Sequence, residues 1–276
     1  MRGYDLVIVL LVSLLPGGAH TALAQTPPSG PPGAGPAAGA TKKNLADRND
    51  RRLFQRFVED AAVSTGGWAE ILYRYTNHSN GSAHFLGPLV AFKIVNNIEG
   101  GLRFGFKDVN PDPGSGESGL SDIDLFAKYR FPGGGGGAAR GGLVKVPAAD
   151  KEESLGTGKS DLEVFAAWRG DLEAVSIVAN AGVRFNGDPD PPVPPTDNSL
   201  FFGGALLLPA SPTLTFVIEG TYETERFAGA ADDARLTLGV QSRRAQGRSG
   251  FRGAVAIPLS DGAPDYEVIL GVFLTY

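Results

Sequence analysis

From Gly67 to the C-terminus the chain alternates apolar and polar residues with a period of two, the signature of strands with one apolar face. In Leu120–Phe131, Ile123, Leu125, Ala127, Tyr129 and Phe131 fall on one face and Asp122, Asp124, Lys128 and Arg130 on the other. Asp161–Arg169 sets Leu162, Val164, Ala166 and Trp168 against Asp161, Glu163 and Arg169. Leu214–Glu223 opposes Phe216, Ile218 and Tyr222 to Thr215, Glu219 and Glu223, and the last eleven residues alternate from Tyr266 to Tyr276 in the same way. Repeated along the chain, this pattern predicts about twelve strands, near 67–76, 85–94, 98–109, 120–131, 140–149, 161–170, 173–186, 199–208, 213–227, 234–243, 250–259 and 265–276. Short turns exchange with longer polar connections such as 110–119, 151–160 and 188–198. The glycine run Gly133–Gly137 breaks the rule, as a long turn on the short-turn side.

The first 63 residues read differently. Arg2, the apolar run 6–15 and Ala22-Leu23-Ala24 form a secretory signal over residues 1–24, too short to span a bilayer. Residues 25–43, rich in Pro, Gly and Ala, form a flexible linker. In 44–63, Leu53, Phe54, Phe57, Val58 and Ala61 fall at helical spacing among Arg48, Arg51, Arg52 and Arg56, which predicts a short amphipathic helix. That helix has two possible places, in the periplasm or inside whatever follows; the sequence does not choose, and the periplasm is the default.

Composition narrows the class. Gly (39) and Pro (20) are too frequent among 276 residues for a helical globule, and the glycines are not periodic as in collagen. A net charge of −5 excludes a nucleic-acid binder. With no cysteine there is no disulfide framework and no thiolate site.

An exported chain with an even number of alternating strands, each of about ten residues, meets the needs of an all-β fold: a transmembrane antiparallel β-barrel. The rival is a soluble barrel with its apolar face inward. Charges on most strands suit a wet lumen, and aromatics near strand ends on the apolar face (Tyr73, Tyr75, Tyr129, Phe131, Trp168, Tyr222) suit an interfacial girdle. The expected lumen face carries the acids Glu70, Glu99, Asp122, Asp124, Asp161, Glu163, Glu219 and Glu223. Its bases are Arg74, Lys93, Arg103, Lys107, Lys128, Arg130, Lys145, Arg169, Arg184, Arg235 and Arg252. The excess of bases is too small for strong anion selectivity, and the charges either pair and fill the interior or line a thin aqueous path.

The end of the chain, Gly271-Val272-Phe273-Leu274-Thr275-Tyr276, resembles the signal read by the outer-membrane assembly machinery, carried by Gly271, Leu274 and Tyr276, although Ile269 stands where a polar residue is usual. The barrel resembles the meta-pathway phenol-degradation family of outer-membrane proteins, through 119–131, Leu143-Val144-Lys145-Val146-Pro147 and 156–161. The resemblance implies a channel or transporter for small, hydrophobic or aromatic solutes, without catalytic residues or cofactor. The expected partners are outer-membrane lipid, lipopolysaccharide and the assembly machinery, for a monomer.

One string looks catalytic. Asn77-His78-Ser79-Asn80-Gly81 is similar to the H-x-S-N-G arrangement of outer-membrane phospholipases and lipid A deacylases. Neighbours on a strand point apart, and the residue two before Ser79 is Asn77, which is no general base. A polar hairpin with Asn-Gly turn chemistry is the simpler reading, with a lipid hydrolase using His78 and Ser79 as the alternative and a barrel without transport as a third class. The acidic sets Asp108, Asp112, Glu117 and Asp188, Asp190, Asp197 lack the spacing of a calcium loop, so no metal is expected.

Overall fold

A computed structural model describes residues 50–132, 136–153, 155–172, 175–191, 194–244 and 248–276. The expected signal and linker lie outside these residues, as do 44–49 and Gly133–Gly135. The strands are β1 (Gly67–His78), β2 (Gly81–Val95), β3 (Ile98–Arg103), β4 (Phe106–Pro111), β5 (Glu117–Leu120), β6 (Ile123–Arg130), β7 (Gly136–Val146) and β8 (Asp161–Asp171). They continue as β9 (Ser176–Phe185), β10 (Ser199–Pro209), β11 (Leu214–Glu223), β12 (Asp233–Arg243), β13 (Ser249–Pro258) and β14 (Tyr266–Thr275). Because β3 and β4 both flank β2, and β5 and β6 flank β4 and β3, these fourteen segments make a closed antiparallel barrel of twelve strands. β1 closes it against β14, from Trp68↔Thr275 to Asn77↔Tyr266.

The third and fourth wall strands break in the middle, the third for a local reason. The Pro88 carbonyl accepts from Phe104 N at 3.3 Å, so the proline's missing N–H faces the same neighbour. The ladder loses a bond where β3 gives way to β4, as expected for proline inside a sheet. Gly87 and Gly105 meet at that break, where a Cβ on Gly87 would fall 2.0 Å from the Phe104 carbonyl oxygen.

The period-two pattern assigned the two faces of the wall correctly. Ile71, Leu125, Trp168, Phe202, Phe216, Leu238 and Val272 project outward and are exposed, whereas Glu70, Lys128, Glu163, Arg169, Glu219 and Arg252 point inward and are buried. An apolar belt of this extent has no place in water and fits hydrocarbon. Outward aromatics gather at both rims. Tyr129 and Phe131 pack edge to face at 5.0 Å near the short turns, and Tyr75 and Tyr266 lie 5.7 Å apart near the long loops.

Residues 50–63 depart from expectation. They contain no helix and do not lie outside the barrel: they form an irregular re-entrant loop buried in the lumen. The wall takes the hydrogen bonds that a helix would need. Phe54 N, Gln55 N and Arg56 N all donate to the Glu219 carboxylate at 2.8–3.1 Å, and Arg52 N donates to Gln241 Oε1 at 3.3 Å. With those donors committed to side chains, the i to i−4 ladder cannot form.

Candidate functional site: a plugged lumen and its vestibule

The loop enters and leaves at the rim that carries both ends of the barrel. Asp50 pairs there with Arg243 at 2.8 Å, and its carbonyl accepts from Gln241 Nε2 at 2.6 Å. On the return, Ser64 N donates to Glu99 Oε2 at 2.6 Å. Glu99 also binds Arg52 at 2.5 Å and Lys128 at 3.1 Å, and all three side chains are fully buried. Lys128 donates onward to the carbonyls of Val58 and Asp60, and Arg169 donates to the carbonyl of Arg51 and binds the Asp60 carboxylate at 3.1 Å. Arg252 donates to the Leu53 carbonyl at 2.5 Å and lies 3.5 Å from Glu70, which accepts from Trp68 Nε1.

Between these charges the plug packs as a soluble core does. Phe57, Val58 and Ala61 sit among Trp68, Leu89, Phe126, Phe165, Phe201 and Phe273, and Leu53 and Phe54 among Leu72, Val178, Leu207, Val217 and Ile269. Trp68 stacks on Phe273 with ring centroids 4.2 Å apart, and the Arg252 guanidinium lies 4.2 Å over Phe54. Around the plug each inward phenylalanine of the wall faces a glycine across the ladder: Gly101↔Phe126, Gly182↔Phe165, Gly182↔Phe201 and Gly250↔Phe273. A Cβ at Gly182 or Gly250 would come 2.3 Å from the ring of Phe201 or Phe273. The small residue lets the ring lie flat along the wall and leaves width for the plug.

Toward the long loops the lumen opens into a vestibule of about 800 Å³, floored by Gln55–Glu59. Its charges pair along the wall: Arg103 with Asp124 at 2.6 Å, Lys145 with Asp161 at 2.9 Å and Arg184 with Glu163 at 2.7 Å across neighbouring strands, and Arg184 with Glu223 at 2.5 Å over the strand between them. Arg56 of the plug joins this network at 3.2 Å from Glu223. Glu267, a lumen acid that alternation placed on the polar face but that was absent from the expected set, joins Arg74 (3.6 Å), Arg235 (3.4 Å) and Gln55 (2.5 Å). Outside the barrel proper, exposed Asp190 is held below the usual carboxylate range by the Lys159 ammonium that donates to it and by Lys151 nearby.

The structure therefore divides the expected lumen residues into two groups. Glu99, Lys128, Arg169, Glu219 and Arg252 grip the plug, and Glu70 backs Arg252 from the wall. Arg74, Arg103, Lys107, Asp122, Asp124, Lys145, Asp161, Glu163, Arg184, Glu223 and Arg235 line the vestibule. Lys93 is exposed at the turn rim, and Arg130 is half-buried near it. Of the assembly-signal residues, Gly271 is buried against Glu70 while Leu274 and Tyr276 face outward. His78 and Ser79 are exposed at the tip of the first hairpin, where His78↔Gly81 closes a two-residue turn and Gly81 takes φ +140°, a conformation that glycine supplies. Among the described residues no hydrogen bond joins His78 to Ser79.

The barrel is of the outer-membrane type. No protein-family model and no curated protein matches the chain. Among solved structures, it is similar to an outer-membrane channel from Pseudomonas putida F1, with a TM-score of 0.63 at 13% identity over 82% of this chain and 100% of that one. It is also similar to the NanC porin (0.55, 10% identity, 75% and 100% covered) and the KdgM porin (0.51, 11% identity, 75% and 99% covered). At such identities the likeness is one of fold.

Proposed function

We propose that this chain is an outer-membrane channel for small solutes, closed at rest by residues 50–63. The observation that carries the reading is the division of one lumen into a vestibule open toward the long loops and a plug held by side chains. A barrel whose interior served only for packing would have no need of an 800 Å³ chamber above a loop that enters from the opposite rim. The fold similarity to channels and porins supports the same role. In this reading the leader exports the chain, the linker and both ends of the barrel lie in the periplasm, and Gly271, Leu274 and Tyr276 address it to the assembly machinery. The phenol-degradation resemblance adds small aromatic compounds as candidate solutes. Lipid and lipopolysaccharide surround the apolar belt of a monomer.

Liposome swelling tests the proposal. Refolded mature protein should admit small solutes slowly, and a variant lacking residues 50–63 should admit them several-fold faster. Absence of flux from both, with heat-modifiable gel mobility showing that both barrels are folded, would reject a transport role.

A further inference from the structure

The vestibule wall holds a site whose chemistry selects one class of solute. Arg74, Phe85 and Lys107 lie side by side across three adjacent strands, in the pairs Arg74↔Phe85 and Phe85↔Lys107. Residues directly opposed in this way have Cβ atoms about 5 Å apart, so the Phe85 ring is flanked by two cations. Below it lies apolar surface, because Phe85 packs against the cluster that contains Leu72, and Phe57 of the plug forms part of the vestibule floor.

The cations are not equivalent. Arg74 has Glu267 at 3.6 Å. Among the described lysines and arginines of the vestibule, Lys107 alone has no carboxylate within ion-pair distance, and its ammonium donates to the Leu155 carbonyl at 3.1 Å. The charges that act on it are Asp122, Lys145 and Arg226. The acids of this wall are already engaged. Asp122 accepts from the backbone N–H groups of Ala148 and Ala149 and faces Lys145, while Asp161 accepts from Gly187 N and binds both Lys145 and Arg226. Lys145 and Arg226 thus take both carboxylates, which leaves Lys107 without one. A half-buried cation with donors to spare, next to an aromatic ring, is suited to an acceptor that the protein does not itself provide.

We infer that the vestibule binds small organic anions with an apolar body, the anionic group on Lys107 and the body against Phe85. The inference rests on the channel reading, whose solute class it names, but binding in detergent does not depend on flux, so the two fail separately.

Titration calorimetry of the full mature protein in detergent, with benzoate, benzyl alcohol and acetate as probes, is the test. Benzoate should bind at least tenfold more tightly than either of the others, since benzyl alcohol lacks the charge and acetate the ring. Lys107→Met should weaken benzoate about tenfold and leave benzyl alcohol unchanged, Lys107→Arg should restore most of the loss, and Phe85→Leu should weaken benzoate but not acetate. Equal binding of benzoate and benzyl alcohol, an unchanged benzoate affinity in Lys107→Met with heat-modifiable mobility retained, or no benzoate binding at all would overturn the inference.

Discussion

Both halves of the lumen carry charged residues and use them in opposite ways. Near the turn rim the charges are buried: Arg52, Glu99 and Lys128 are fully enclosed, and each binds the plug or belongs to it. Near the loop rim the same kinds of residue pair with one another around an open chamber, and Arg103 and Asp124 keep 32% and 17% of their side-chain surface exposed. The difference lies in the residues between the charges. Aromatic side chains (Trp68, Phe126, Phe165, Phe201, Phe273) share the inner face with the charges in the closed half, whereas the inner face of the open half holds few. Charge alone does not make a barrel interior wet. It is dry where bulky apolar groups alternate with the charges and a segment of chain satisfies both.

Substitutions that act on one half and spare the other break or sharpen this contrast. Glu99→Ala should have the largest effect, because it leaves Arg52 and Lys128 buried without their shared carboxylate. A loss of about 3–5 kcal/mol is expected from breaking such a pair, read as a lower urea midpoint in refolding and frequent openings in single-channel records. Next, Leu238→Lys on the outer face, where the leucine is 51% exposed, should cost about 2–4 kcal/mol of folding stability in bilayers. A neutral result there would mean that the outer face does not meet hydrocarbon. Glu219→Gln keeps one acceptor oxygen, enough for Phe54 and Gln55, but turns an amide NH2 toward Arg56 N and removes the charge. About 1–2 kcal/mol should be lost, raising the open probability several-fold without lowering the stability of the wall. Asp124→Asn in the vestibule should change stability by about 1 kcal/mol or less, since water replaces the lost partner of Arg103. A cost equal to that of Glu99→Ala would erase the distinction between the halves.

Much of the wall was legible in the sequence, because a strand repeats its environment every second residue and each of the twelve expected strands has its counterpart. The break at Pro88 was not foreseen, since a missing donor matters only once its neighbour is known. The plug was misread for a physical reason. Leu53, Phe54, Phe57, Val58 and Ala61 have helical spacing because a narrow loop inside a barrel touches wall on several sides, and spacing cannot tell that from one face of a helix. The signal lay elsewhere in the chain. Trp68, Phe126, Phe165 and Phe273 fall in phase with lumen charges, and large rings on a water-facing wall call for an apolar partner in the lumen. Of the site itself, alternation separates inward from outward positions, whereas the division between plug and vestibule depends on contacts between residues as far apart as Arg52 and Gln241.

The central claim is that residues 50–63 close an otherwise open barrel. Planar-bilayer conductance of the refolded mature protein, beside the same protein lacking those residues, tests it most directly. The full chain should stay closed or flicker at low conductance, and the deletion should open steadily at a several-fold higher level. Equal conductance from two folded barrels would contradict the account.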